Sequence, residues 1–154
     1  MVVCAVVHTI TRPAKSEDIE WILGELKGFS KFIRTKYELY GDEAYSKKGI
    51  QMLIDEHLFL IAENKGGRAG FVAGYFTPHL FNPAIKILCE LFWYVNPNYR
   101  GAGVGSLLMN EYIAFGKKHA QWITFSKNRF TQLNEKSLLR RGFNHHESTY
   151  LQEI

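Results

Sequence analysis

Several features that mark other classes of protein are missing from this sequence. Hydrophobic residues make up 46% of it, yet no apolar run reaches the ~20 residues of a membrane-spanning helix. Its opening, M-V-V-C-A-V-V-H, lacks a basic segment and is too short for a signal peptide. The only cysteines, Cys4 and Cys89, lie in apolar runs, which favours buried reduced thiols over a disulfide. No Cys or His spacing is typical of a metal site. We therefore expect a cytoplasmic protein without metal.

Size and charge narrow the function further. A chain of 154 residues fits one domain, spanning 1–154, and buries enough apolar surface to fold alone. The formal net charge is only +4, and the basic pairs fall in predicted helices or at their ends. Solvated helix faces explain such pairs, and no basic stripe is interleaved with stacking aromatics. We do not expect a nucleic-acid partner, although a weak attraction to acidic ligands follows from the charge.

A strand, a glycine-rich turn and a helix are predicted in succession between residues 90 and 118. The run 91–95 is apolar and aromatic, as in a buried strand, and an amphipathic pattern begins near Leu107. Between them three glycines occupy alternate positions: Gly101, Gly103 and Gly105. Glycine permits positive φ and close approach of a ligand, so the turn exposes N–H groups at a helix start, which suits a pyrophosphate. Arg100 adds a positive charge at its rim.

Two common phosphate-binding motifs do not fit this turn. A Walker loop needs Lys-Ser or Lys-Thr after its last glycine, but Ser106 follows Gly105 directly. A dinucleotide fingerprint needs its third glycine three positions after the second, and the spacing here is two. Both motifs are excluded.

The segment instead matches R-G-x-G-x-G after a strand that ends in V-x-P-x-Y, which resembles the acetyl-CoA loop of the GCN5-related N-acetyltransferases, the GNAT family. The resemblance implies an acetyl-CoA-dependent N-acetyltransferase that acetylates a primary amine by direct attack in a ternary complex. It implies an α/β fold whose mixed central sheet has a splayed pair of parallel strands and helices on both faces.

The rest of the pattern agrees with that order of elements. Strands are predicted at 2–10, 58–63, 70–77, 85–95, 122–126 and 143–152, and helices at 16–28, 45–55, 104–119 and 132–141. In the first helix Ser16 is the expected cap and Gly28 the expected end. The resemblance covers nearly the whole chain, although only two motifs carry it at residue level.

The resemblance also implies cofactor-binding residues. Main-chain groups of Tyr94 and Val95 would pair with the pantetheine amides, and Val95 N–H is the first candidate for the oxyanion. Asn134 is expected to bond the pantetheine arm. The pyrophosphate would be held by amides of the loop and by Ser106; the loop residues are Arg100, Gly101, Ala102, Gly103, Val104 and Gly105.

The second motif is L-L-R-R-G-F, residues 138–143. In this family a helix commonly ends in such a segment, with Gly142 closing the helix and Phe143 starting the last strand. A tyrosine of that segment often acts as general acid, but Leu138 stands at its position. A thiol with a pKa of ~8.5, as in cysteine, can leave as the thiolate without an acid, so the absence of the tyrosine need not abolish turnover.

The base and the acceptor site are left open by the sequence. Glu90 is the only carboxylate on the strand before the loop and is the candidate base; alternatively it faces solvent, pairs with a lysine or holds a substrate ammonium. His79 and Tyr150 are weaker candidates. In this fold the segment that joins the first two helices commonly walls the acceptor site, so the resemblance implies that role for the aromatic segment 29–45, unless its aromatics pack inward. Trp93 is expected in the core.

The sequence leaves two main functions open, besides a nucleic-acid binder that would use the basic helix ends and whose affinity would fall steeply with salt. The first is the N-acetyltransferase, with a small-molecule or protein amine as acceptor and no membrane partner. The second is a regulatory module that binds acyl-CoA but has lost turnover. Dimers are common in the family, so a homodimer is compatible with either function, and the preferred acyl chain is open.

Overall fold

The computed structural model describes residues 8–33, 35–127 and 133–154. Its strands are β1 (Ile10–Pro13), β2 (Leu58–Asn64), β3 (Gly67–His79), β4 (Asn82–Val95) and β5 (Trp122–Thr124). Its helices are α1 (Ile19–Ser30), α2 (Glu43–Glu56), α3 (Val104–His119) and α4 (Glu135–Arg140). Short 3₁₀ turns at Ser16–Asp18 and Pro97–Tyr99 precede α1 and follow β4.

The five strands form one sheet in the order β1-β2-β3-β4-β5. The first four are antiparallel, and β5 runs parallel to β4. The parallel ladder ends at the pair Cys89 and Thr124, whereas β4 continues to Val95. Beyond Cys89, β4 therefore has no β5 partner, and a gap opens between the two strands.

Helices cover both faces of the sheet. On one face α3 and α4 pack over the sheet through Leu108, Tyr112 and Leu138. On the other, α1 and α2 bury a second cluster that includes Ile22, Leu53 and Phe71. A mixed sheet with a splayed parallel pair and helices on both faces is the fold class that the sequence predicts, and it is confirmed.

A buried ion-pair network fixes β1 and the start of α1 to the sheet. The Asp18 side chain is 0% exposed and accepts hydrogen bonds from Arg12 Nη1 at 2.7 Å and Arg68 Nε at 2.9 Å. Burial alone would raise the pKa of Asp18, but the bonds from Arg12 and the Lys15 amide and the two arginine charges lower it to about 2. Glu63 also binds Arg12, at 2.6 Å.

Several predicted boundaries are wrong near the start of the chain. Most of the expected first strand lies outside the described residues, and the described strand begins at Ile10 and includes Pro13. Ser16 is not the cap of α1, because a 3₁₀ turn intervenes. Gly28 does not end α1, since the helix continues to Ser30. Phe29 packs edge-on against Tyr94 with ring centroids 6.4 Å apart, which offsets the ~1 kcal/mol penalty of a helical glycine.

The expected closing strand is also wrong, because residues 143–154 form no strand. The motif before it folds as predicted: Gly142 has φ +88°. The amide of Gly142 donates to Leu139 O and that of Phe143 to Leu138 O, at 3.0 and 3.2 Å, as in a Schellman motif. Within the described ranges, no helix is long and apolar enough to cross a membrane.

Candidate active site

A cleft of about 380 Å³ opens where β4 ends and α3 begins. Its walls combine aromatic side chains from both faces of the sheet with the backbone of the glycine-rich loop. The lining residues are Phe29, Trp93, Tyr94, Val95, Tyr99, Arg100, Gly101, Gly103, Val104, Gly105 and Ser106. Of the eight positions predicted between Tyr94 and Gly105, only Ala102 is not among them.

The loop directs free amides into this cleft. Gly101 and Gly103 have φ +83° and +80°, a conformation that favours glycine, and Gly103 is the N-cap of α3. The first bond of the helix runs from Leu107 N to Gly103 O at 3.0 Å. The amides of residues 104–106 therefore have no acceptor within the helix and point out at the positive end of its dipole.

Gly105 is required for a different reason. A Cβ there would lie 2.9 Å from Trp93 Cζ2, and the Trp93 indole N–H donates to Gly105 O at 3.0 Å. The missing side chain lets α3 approach β4. Trp93 packs partly in the α3 cluster, as predicted, and also forms a wall of the cleft.

The main chain of Val95 faces the gap between β4 and β5. The Asn96 amide donates to Ala69 O of β3 at 3.0 Å. Successive strand residues direct their amides to opposite edges, so the Val95 N–H is turned away from β3. Arg100 Nε donates to Val95 O at 3.2 Å, on the same side. By the same alternation the Tyr94 main chain faces β3, so Tyr94 contributes its side chain and not its amide.

Tyr94 connects the cleft to α1. Its hydroxyl donates to Glu25, and the Asn96 side-chain amide lies 3.4 Å from the other carboxylate oxygen. Burial, together with the hydrogen bond to Glu25, raises the pKa of Tyr94. Phe29, one helical turn after Glu25, lines the same wall. Glu25 is not among the residues expected from the sequence, since nothing in the α1 pattern indicates that it meets β4.

Glu90 lies where the gap between β4 and β5 begins. It is the first residue of β4 beyond the parallel ladder, and its carboxylate accepts the Ser126 amide at 3.2 Å. Burial raises its pKa to about 7. Glu90 is half-buried and binds the segment directly after β5, so it does not face solvent, as the alternative interpretation requires. It does not line the cleft itself.

The other expected residues are placed as follows. Asn134 caps α4 by accepting the Lys136 amide at 2.9 Å, outside the cleft lining, and its pantetheine contact stays a prediction. Leu138 is buried in the α3 cluster and supplies no acid. Tyr150 is 93% exposed in the C-terminal segment. His79 ends β3 at the far end of β4, roughly 40 Å from the cleft by strand length.

The segment between α1 and α2 borders a second depression, of about 410 Å³, whose lining also includes Lys27 and Ser30 of α1. Phe32 and Tyr45 are 71% and 76% exposed, so they do not pack inward, whereas Tyr40 packs against the core. That this segment walls the acceptor site stays a prediction. Cys89 is a free, half-buried thiol, and Cys4 lies outside the described residues. No group of metal-binding side chains occurs in the described ranges.

Comparison with known proteins identifies this arrangement. A sequence profile described as the acetyltransferase (GNAT) family matches residues 26–143, most of the chain. The chain belongs to the GNAT acetyltransferase family. The family resemblance seen in the sequence is thus confirmed.

Solved GNAT-like structures share the fold. A putative acetyl transferase from Pyrococcus furiosus aligns with TM-score 0.75 and 22% identity, over 96% of this chain and 100% of its own. A predicted acetyltransferase from Clostridium acetobutylicum, solved with acetyl-CoA, gives 0.71 and 14%, over 95% and 96%. A ribosomal-protein-alanine N-acetyltransferase from Brucella melitensis biovar Abortus 2308 gives 0.74 and 16%, over 95% and 99%. No curated protein sequence matches this chain.

Proposed function

We propose that this GNAT protein transfers the acetyl group of acetyl-CoA to a primary amine by direct attack within a ternary complex. One observation supports the proposal most: Val95 and the residues of the first α3 turn, whose amides are free, line the same cleft. The helix start suits a diphosphate, and the strand end suits the pantetheine and thioester. One line of main-chain donors would hold the cofactor from end to end.

The chemical roles follow from this placement. Val95 N–H stabilises the oxyanion that forms when the amine nitrogen attacks the thioester carbon. The C–S bond then breaks, and the thiolate leaves without an acid, because Leu138 offers no proton. Glu90 is our candidate base. Its pKa of about 7 suits uptake of the amine proton near neutral pH, through a bridging water.

The acceptor would enter from the α1 side of the cleft. Phe29 and Tyr94 form an aromatic wall there, and Glu25 places a carboxylate behind Tyr94. Aromatic faces with a nearby carboxylate attract a substrate ammonium before it loses its proton. This side therefore favours a cationic primary amine over an alcohol.

A regulatory module that binds acyl-CoA without turnover is the second candidate. The buried, apolar Leu138 at the position of the family's frequent acid favours it. The two candidates share the cofactor site and differ only in the chemical step.

Calorimetric titration with acetyl-CoA, combined with thiol release across a panel of primary amines, separates the candidates. The transferase requires both binding and amine-dependent release, whereas binding without release supports the module. Gly103→Glu places a carboxylate at the anion site and should weaken acetyl-CoA binding at least tenfold. Gly24→Glu adds the same charge on an exposed face of α1 and should not. Absence of acetyl-CoA binding by the parent refutes both candidates.

A further inference from the structure

Arg141, directly after α4, reaches across to the first turns of α3. Its Nη2 donates to Ser106 Oγ at 2.6 Å and its Nε to Asn110 Oδ1 at 3.0 Å. Its Nη1 donates to the carbonyl and hydroxyl oxygens of Ser137. The guanidinium is therefore held in one position by four contacts. Ser106, one of its partners, lines the cleft.

The charge of Arg141 has no counter-ion among the residues that the structure describes. All four acceptors are neutral, and no carboxylate forms an ion pair with Arg141 in the described part of the chain. The remaining positions, 1–7, 34 and 128–132, contain no Asp or Glu in the sequence. Two other half-buried arginines do have such a partner: Arg12 and Arg68 both bind Asp18. An uncompensated cation thus stands beside the free amides of α3.

The contact also determines what Ser106 can do. Because the Ser106 oxygen accepts a hydrogen bond from Arg141, its own hydroxyl proton is available to another acceptor. An arginine already fixed by several bonds loses little further side-chain entropy when an anion arrives. On the other side of the loop, Arg100 is held against Val95 O.

We propose that Arg141 is a positioning residue for the phosphates of coenzyme A. It orients Ser106 as a hydrogen-bond donor and provides a second cation, in addition to Arg100, at the anion-binding end of the cleft. The inference rests on the proposed function, because that function supplies the ligand. Either the diphosphate or the 3′-phosphate of the coenzyme can be the group that receives this charge.

Calorimetric titration of the full chain with coenzyme A and with 3′-dephospho-coenzyme A tests the inference. Arg141→Gln should weaken coenzyme A binding at least tenfold. Arg141→Lys should weaken binding less, because lysine keeps the positive charge but lacks the several N–H donors of the guanidinium group. Arg140→Gln is the matched control: it removes the same charge from an exposed neighbouring residue and should change the dissociation constant less than twofold. The Arg141→Gln defect should shrink as ionic strength rises.

Comparison of coenzyme A with its 3′-dephospho form shows which phosphate group the charge of Arg141 serves. If the charge of Arg141 serves the 3′-phosphate, the Arg141→Gln defect should be smaller for the dephospho form, which then loses only the orientation of Ser106. If the charge serves the diphosphate, the defect should be equal for both ligands. Ser106→Ala covers the case in which Arg141→Gln does not fold. It should weaken binding several-fold, and where both single variants fold, the double variant should show less than the product of the two defects.

The inference is overturned if Arg141→Gln and Arg140→Gln have equal effects on coenzyme A binding. It is also overturned if Arg141→Gln and Ser106→Ala fold and bind coenzyme A as the parent does. Neither result affects the proposed function. If the parent binds no coenzyme A, the proposed function and the inference are both refuted.

Discussion

The backbone of Gly103 provides a direct test of the loop that precedes α3. Its φ of +80° lies in the left-handed region, and a Cβ added there would have nothing within 4 Å. Gly103→Ala therefore introduces backbone strain without a steric clash. Strain of this kind costs roughly 1–2 kcal/mol, and the stiffer unfolded chain offsets about 0.5 kcal/mol of it. We expect a net loss of about 1 kcal/mol in the free energy of unfolding.

Gly49→Ala is the matched control. Gly49 lies inside α2, has no positive φ, and a Cβ added there also has nothing within 4 Å. In a helix interior alanine is more stable than glycine by about 1 kcal/mol. The same substitution should therefore have opposite signs at the two sites, with a difference of about 2 kcal/mol.

Urea unfolding measures this difference. With a slope of about 2 kcal/mol/M, the midpoints of the two variants should lie about 1 M apart, with the parent between them. Acetyl-CoA binding should weaken in Gly103→Ala alone, because relief of the strain tilts the amides that follow. A midpoint for Gly103→Ala at or above that of the parent would show that the loop does not hold position 103 in the left-handed conformation.

Two predictions concern pH. The pKa of Asp18 is about 2 in the fold, against 3.8 ordinarily. The ionised carboxylate therefore stabilises the fold above pH 3.8, and this stabilisation is lost as the pH falls towards 2. Between pH 5 and pH 2 the free energy of unfolding of the parent should fall by about 2 kcal/mol more than that of Asp18→Asn. Equal losses would contradict the network. The pKa of Glu90 is raised from 4.5 to about 7, so its ionisation destabilises the fold progressively above pH 4.5. Glu90→Gln should therefore be more stable than the parent by about 2–3 kcal/mol at pH 8 and equal to it at pH 4. Its amine-dependent thiol release should fall. Equal stability of the two proteins at pH 8 would contradict the burial of this carboxylate.

Strong local signals made much of the fold predictable. The helix 104–119 was predicted with both of its ends, because glycines precede it and a basic last turn closes it. The three strands β2 to β4 were predicted to within three residues at each end, since each is a long apolar or β-branched run with clear turns between them. The loop of the anion site followed from the same segment, where sequence order alone brings strand, turn and helix together.

Contacts between distant segments were not predictable in this way. The residues after Phe143 are mostly polar, so the strand expected at 143–152 has little apolar surface to bury against the sheet. Glu25 meets Tyr94, and Arg141 meets Ser106, across sequence separations of 69 and 35 residues. No periodicity within α1 or α4 indicates such partners, because each depends on how the helices are placed over the sheet.

The position of Glu90 shows how a single irregularity changes a site. In a regular strand Glu90, Phe92 and Tyr94 would share one face. The register shifts here: Gly74 of β3 pairs with Glu90, and the next residue, Ala73, pairs with Phe92. Leu91 is the extra residue of a β-bulge, and it reverses the alternation.

Glu90 therefore lies on the α3 face, as Trp93 does, while Phe92 and Tyr94 face α1. The same bulge occurs where β5 leaves β4, so it helps to open the gap that the proposed chemistry requires. A base on the cofactor side and an aromatic wall on the acceptor side thus depend on the bulge, which takes Leu91 out of the alternation. Deletion of Leu91 should leave Glu90 and Tyr94 on opposite faces, because the remaining residues then alternate regularly, but it removes the bulge beside the gap. We therefore expect the gap to narrow and acetyl transfer to fall even in a variant that still folds.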